Sequence, residues 1–327
     1  MVEAGAYMRR GGRAIVVGGG LAGLACAREL GDGCILLEAE DRLGGLCRTD
    51  LIEGFSFDWT GHWLHARDPE MRKAIEERLL AGNLMTVERR ARIHSQGVWT
   101  TFPYQFHLYG LPPRTVSECV LGFIEATLGP GGAELRGRPL RNAAEFILRD
   151  LGEGFARHFM FPYNEKLYTI PCEELSPEWG GRFIPRPSLA DVIQGAAGPA
   201  REDVGYNATF WYPRQGGIEA LAPAGFRSFA VEFAHRGAAD PARCIDQALS
   251  GLERCGLIDR REVAISRART IPVAYVLFDH DHAAARAVVQ AHFERSGVQL
   301  AGRYGRWEYS SMEDALLSGR DAARNLA

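Results

Sequence analysis

Three glycines, Gly18, Gly20 and Gly23, stand at the spacing G-x-G-x-x-G, and Glu38 follows twenty positions after the first. That pattern suits a nucleotide diphosphate. The first glycine permits a tight turn, the second lets a pyrophosphate approach the backbone, and the third lets a helix pack closely on a strand. An acid at position 38 can accept hydrogen bonds from ribose hydroxyls, which favours a ribose over a 2′-phosphate. Arg42, Gly44 and Gly45 come directly after the acid. Two adjacent glycines let the chain lie flat against a long dinucleotide, and an arginine can pair with a phosphate.

These residues need particular elements beneath them. Ala14 to Val17 is a short apolar run with β-branched residues, ended by glycines, and it reads as a buried parallel strand. Leu21, Leu24 and Ala25 then give a helical stripe. The start of such a helix presents unpaired N–H groups and a positive dipole end to a diphosphate. Cys34 to Leu37 is a second apolar run, closed by Glu38. Strand, glycines, helix, strand and acid in this order predict a Rossmann-like α/β unit, which a lone glycine triplet would not.

A chain of 327 residues with 46% apolar and 24% charged residues is long enough for two domains and a sizeable core. The formal net charge of −3, with dispersed basic residues, gives no sign of a nucleic-acid surface. Seven cysteines without a CxxC pair form neither a disulfide framework nor a zinc site, so reduced thiols in a cytoplasm are expected. No stretch is long and apolar enough to span a bilayer.

The run Arg42-Leu43-Gly44-Gly45-Leu46-Cys47-Arg48-Thr49 resembles the second glycine pair of FAD-binding proteins in the glutathione-reductase, amine-oxidase and UDP-galactopyranose-mutase group. The resemblance implies FAD as cofactor rather than NAD. Gly61-His62 is similar to a glycine-histidine turn that runs along the isoalloxazine face in those flavoproteins. Pro162-Tyr163-Asn164-Glu165-Lys166-Leu167-Tyr168 looks like a segment of UDP-galactopyranose mutases that lines the sugar pocket, with Tyr168 in place of the family tryptophan. Trp179-Gly180-Gly181-Arg182 resembles the mutases' tryptophan-glycine-x-arginine turn near the flavin, and Tyr212 to Gly217 their tyrosine-proline-x-x-glycine-glycine return into the FAD domain. Gly302-Arg303-Tyr304-Gly305-Arg306-Trp307-Glu308-Tyr309 is similar to the mutases' G-R-F-G-x-W-x-Y segment. There the first arginine grips the substrate pyrophosphate and the tyrosine points toward it; a guanidinium suits a diphosphate because it offers several fixed donors. The last helix, beginning near Met312, would aim its positive end at the flavin's pyrimidine end, with Ser311 and Asp314 at capping-box spacing.

Between the matching stretches, Asp68-Pro69 opens a helix with Met71, Ile75 and Leu79 on one face, and Val87 to Phe102 alternates as a hairpin around Ser95-Gln96-Gly97. Val116 to Leu128 and Asn142 to Leu151 carry helical spacing on either side of a loop, Gly129 to Gly132. Asp279-His280-Asp281-His282 sits at the start of a helical pattern, and helix capping is preferred to a metal cluster because consecutive residues rarely converge on one ion. No metal is assigned. The fold expected is a Rossmann-like FAD-binding domain of the glutathione-reductase type, with an inserted mainly helical domain and a reduced substrate-domain sheet. The boundaries are 1–68 for the first part of the FAD domain, 69–209 for the insert, 210–222 for the return, 223–294 for a shortened substrate domain, and 295–327 for the C-terminal helix. Compared with the family, a large stretch is missing after Leu221, including a strand of the FAD domain and a second arginine.

The resemblance implies a mutase-like enzyme acting on a nucleotide sugar, with attack by the flavin N5 on the anomeric carbon and no net redox change. His62, Tyr168, Arg182, Arg303 and Tyr309 are then the catalytic candidates. Gly18, Gly20, Gly23, Glu38, Arg42, Gly44, Gly45, Gly61 and Met312 are the FAD-binding candidates. An FAD-dependent oxidoreductase of the amine-oxidase or protoporphyrinogen-oxidase type shares the same fingerprint. A shortened, inactive FAD-binding relative is the third reading.

Overall fold

The computed structural model describes residues 14–61, 64–80, 82–88, 90–180, 184–199, 209–214 and 230–326. Strand β1 (Ala14–Val17) leads through the glycine turn into helix α1 (Leu21–Leu30) and back to β2 (Cys34–Leu37). β1 and β2 pair in parallel from Ala14 opposite Cys34 to Val17 opposite Leu37. Val16, Cys26, Leu36 and Ala323 form the small core under this sheet, where α1 lies on the final helix. The other sheet face is uncovered: Ile15 is 66% and Val17 81% exposed, and Ile35 and Leu37 are also exposed.

An antiparallel ribbon follows, β3 (Thr49–Ile52) with β4 (Phe55–Asp58), then helix α2 (Pro69–Ala74), capped by the Asp68 carboxylate on Met71 N, and a wider π-type turn over Ile75–Leu79. Strand β5 (Leu84–Glu88) pairs antiparallel with β8 (Thr209–Pro213), while β6 (Arg92–Ser95) and β7 (Val98–Thr101) make the hairpin. The hairpin tip falls where its sequence placed it, but the hairpin is shorter than expected. Val87 and Glu88 take a partner 123 and 121 positions away, Phe210 and Thr209, which local alternation cannot reveal.

The insert is helical: α3 (Pro113–Leu128), α4 (Pro130–Arg136), α5 (Ala143–Asp150), α6 (Gly152–Phe155), α7 (Phe161–Tyr168) and α8 (Leu189–Ala197). Tyr104, Cys119, Phe123, Ile147, Leu151, Phe155 and Val192 close into the largest core of the molecule. The stretch Gly129 to Gly132, expected as a loop, is the start of α4 instead. Pro130 occupies its first turn, where a missing N–H costs nothing, and Gly132 packs against the Ala126 carbonyl with no room for a Cβ.

Helix α9 (Pro241–Arg254) is amphipathic, and both it and helix α10 (His282–Arg295) are lightly packed, with His282 the one buried residue between them. The expected capping of α10 is not what the Asp279 to His282 run does. Asp281 stands at the cap position but its side chain makes no capping bond, and Asp279 accepts from Asp281 N instead. His280 and His282 are bound to the Glu173 and Trp307 carbonyls. The short α11 (Gly302–Gly305) leads to α12 (Met312–Leu326), whose start is a full capping box. Ser311 Oγ accepts from Asp314 N at 3.1 Å, and Asp314 Oδ2 accepts from Ser311 N at 2.8 Å. No helix among the described residues is long and apolar enough to cross a membrane.

Candidate functional site

At the C-terminal end of β1 the backbone does what the glycine spacing demands. Gly18 has φ +98°, a conformation that favours glycine, and its N–H donates to the Leu37 carbonyl, locking the turn onto β2. A Cβ on Gly23 would overlap the Gly18 carbonyl, so α1 crosses β1 at a distance open only to glycine. Helix α1 begins at Gly20 with no capping side chain and no acid in its first turn, which leaves its dipole and first amides unspent.

Glu38 organises this turn. Oε2 accepts from Gly19 N at 2.6 Å, and Oε1 from Ala39 N and Glu40 N at 2.9 and 3.0 Å. Those bonds, with the Glu40 amide first, hold its carboxyl below the usual range. A carboxylate has about four acceptor sites, so about one remains beyond these three bonds. The second glycine pair lies directly across: Gly44 N donates to Gly19 O at 2.8 Å, and Gly20 and Gly44 form a parallel bridge.

Beside these glycines stand three arginines around one indole. Arg269, Arg48 and Arg42 lie 4.0, 5.1 and 5.9 Å from the Trp59 ring centroid. Arg48 is 2% exposed, bonded to the carbonyls of Leu43 and Arg42, with Glu40 at 3.8 Å. Arg42, expected on a phosphate, pairs with Asp50 at 2.6 Å and Thr49 O at 3.2 Å, and Arg269 pairs with the same Asp50. Sequence reading missed Trp59, Asp50 and Arg269 as a group, since the third guanidinium arrives from more than two hundred positions downstream.

The second half of the site is aromatic. α11 sits against α1, with Gly302 N donating to Ser318 Oγ at 3.0 Å, and this brings Arg303 toward the glycine turns. Arg303 Nη2 donates to Ser310 O at 2.7 Å and Nη1 to Ala274 O at 3.4 Å, and the guanidinium stands 5.1 Å from the Tyr309 ring centroid. Its partners are thus two backbone carbonyls and the Tyr304 hydroxyl, and among the described residues no carboxylate forms an ion pair with it. Cys47, in the second glycine run, feels both Arg303 and Asp58, but burial dominates and pushes its thiol up to about 12. Tyr168, at the end of α7, meets Trp179 at 6.3 Å and Tyr275 at 6.4 Å, each edge-on, and burial pushes its phenol up to about 12. Tyr163, Tyr168, Tyr275 and Tyr309 thus share one neighbourhood with Arg303.

Met312 opens α12 half-buried, and Gly61 is exposed at the end of β4. His62, Gly181 and Arg182 lie outside the described residues, as does Leu221. A separate groove of about 520 Å³ opens in the helical insert along Tyr109, Leu111, Val116, Val120 and Leu121; its lining is apolar and carries no charged side chain.

Residues 16–78 match the model of the NAD(P)-binding Rossmann-like domain. The crystal structure of reduced UDP-galactopyranose mutase superposes with a TM-score of 0.82 over 96% of this chain and 95% of that one, at 17% identity. The chain has the fold of UDP-galactopyranose mutase. Polyamine oxidase 5 of Oryza sativa subsp. japonica is 46% identical over 54 residues, and polyamine oxidase 2 of Arabidopsis thaliana 44% over 54. These matches span 16% of this chain and 11% of each relative.

Proposed function

We propose that this chain is a flavoenzyme that binds FAD across the two glycine turns and acts, mutase-like, on a nucleotide sugar held by Arg303. The observation that carries this reading is a guanidinium anchored by the carbonyls of Ala274 and Ser310, without an acidic partner among the described residues, inside a tyrosine-lined site. A cation held that way keeps its charge for an incoming anion, and a diphosphate is the anion a planar fork of donors fits best.

The glycine turns fit FAD. Gly18, Gly20 and Gly23 leave the first amides of α1 open, Glu38 keeps an acceptor for ribose, and Gly44 and Gly45 extend the track toward Cys47 and Arg303. Bound reduced flavin would supply a nucleophile for a mutase-type reaction, or, oxidised, a hydride acceptor for an oxidase. Arg303 would hold the diphosphate, and Tyr168 and Tyr309 would wall the pocket and exclude water from the sugar. Residues His62 and Arg182 are proposed to stand near the flavin on the strength of the family resemblance alone.

The second reading, an oxidoreductase, is favoured by the polyamine-oxidase match over 54 residues. Titration with FAD, followed by flavin fluorescence quenching and melting temperature, tests the shared part; no saturable quenching would remove both readings and leave a shortened relative that does not bind FAD. Dithionite-reduced holoprotein mixed with UDP-galactofuranose then separates them. Interconversion with UDP-galactopyranose, lost in Arg303→Ala, is the expected outcome. No interconversion, together with flavin reduction by an amine, would replace the mutase reading by the oxidase one.

A further inference from the structure

Opposite charges stand at the two ends of one dipeptide in the tyrosine site. The Ala274 carbonyl accepts from Arg303, and the next residue, Tyr275, donates its hydroxyl to Glu232 Oε2 at 3.1 Å. Glu232 is exposed, on the extended segment that precedes α9, and pairs with no basic side chain among the described residues. The other titratable groups around Tyr275 are Tyr163 and Tyr168 from α7 and Tyr309 from the segment before α12. Burial first, and then the Glu232 charge, push the Tyr275 phenol up.

A phenol has a single proton. Committed to Glu232, it is unavailable to an anion, and Tyr275 then meets a ligand with lone pairs only. The neighbouring carboxylate adds a repulsion for any phosphate that approaches from that side.

We propose that Glu232 is a positioning residue acting through Tyr275: it withholds the tyrosine hydroxyl from anions, so that the pocket has one anion-accepting end, at Arg303, and one hydrogen-bond-accepting end, at Tyr275 and Glu232. The ligand class that fits carries a diphosphate at one end and hydroxyl donors at the other, and it enters in one direction. This inference rests on the reading of Arg303 as the diphosphate anchor.

The test uses the full chain labelled with 3-fluorotyrosine, and UDP as the anionic probe. The Tyr275 resonance is identified by its loss in Tyr275→Phe. In Glu232→Gln the ionisation midpoint of Tyr275 should fall, because a nearby negative charge no longer opposes the phenolate. UDP should bind that variant roughly threefold or more tightly than wild type. The gain should shrink when Glu232→Gln is made in the Tyr275→Phe background, leaving only the relief of the direct repulsion.

An unmoved Tyr275 midpoint, or equal UDP affinity in wild type and Glu232→Gln, would overturn the proposal. So would a gain that survives undiminished without the Tyr275 hydroxyl. If UDP binds Arg303→Ala as well as wild type, or binds none of the proteins, the anchor reading falls by itself. The fluorine titration then still decides for or against Glu232 as the group that governs Tyr275.

Discussion

Arg48 buries a full positive charge with backbone carbonyls as its nearest acceptors, and the closest carboxylate, Glu40, is 3.8 Å away and mostly solvent-exposed. Taking a guanidinium out of water costs several kcal/mol unless good partners replace the solvent. Its position explains the expense: the Arg48 stem lies 3.3 Å from where a Cβ on Gly44 would stand, directly beneath the second glycine turn. A fixed cation there raises the potential at which a diphosphate would sit, without blocking it. Arg48→Met keeps much of the packed stem and removes the charge. FAD affinity, measured by fluorescence quenching, should drop about tenfold, the loss of one charge-assisted contact, while the far-UV circular dichroism stays as in wild type. At this scale the sequence was informative wherever chemistry is local. Gly18 and Gly23 act within one turn of chain, and Glu38 returns to that turn at the end of the next strand, an order that the spacing reports. The Trp59, Asp50 and Arg269 group and the Tyr275 to Glu232 bond were invisible, because residues 43 to 219 positions apart meet only after folding.

Among the elements, the junction between α4 and α5 turns on one carboxylate. Glu145, in the first turn of α5, takes two bonds from Arg138 at 2.8 Å each, one from Arg141 N at 2.8 Å and one from Arg141 Nε at 2.5 Å, while Asn142 caps the same turn. Arg138 first, and then Arg141, hold its carboxyl far below the usual carboxylate range. A carboxyl depressed on folding stabilises the protein above its unfolded pKa and loses that contribution as pH falls through the folded one. Glu145→Gln should therefore lower the melting temperature at pH 7. The gap to wild type should persist down to about pH 4, the unfolded glutamate value, and narrow only in stronger acid. A gap that closes already between pH 7 and 5 would mean that the ion pairs contribute nothing. Helix content was legible here because α3 and α5 repeat their apolar residues at helical spacing, and Ser311 with Asp314 announces the cap of α12. What periodicity could not supply was the start of α4, where proline and glycines mimic a loop, or the β5 to β8 pairing, which depends on the path of the whole insert.

For the molecule as a whole, the parallel sheet is covered on one face only. α1 and α12 cover one face so closely that a Cβ on Gly319 would overlap the Ala22 carbonyl, yet the opposite face presents Ile15, Val17, Ile35 and Leu37 to solvent. Parallel strands are ordinarily buried on both sides, and a contiguous aliphatic face of this kind promotes association. The same geometry that keeps the glycine turns rigid from below thus leaves them supported from one side only. Val17→Thr changes the most exposed of the four without touching the Val16 side chain in the core, and threonine keeps the β-branched shape that suits a strand. The substitution should lower binding of an apolar dye such as ANS and raise the concentration at which light scattering detects oligomers, with an unfolding free energy within about 1 kcal/mol of wild type. Val16→Thr, which puts a hydroxyl into the core between sheet and α1, should do the reverse: leave dye binding high and cost about 1–3 kcal/mol. If Val17→Thr instead destabilises the fold as Val16→Thr does, the outer face is buried in solution, and the sheet has found a covering layer.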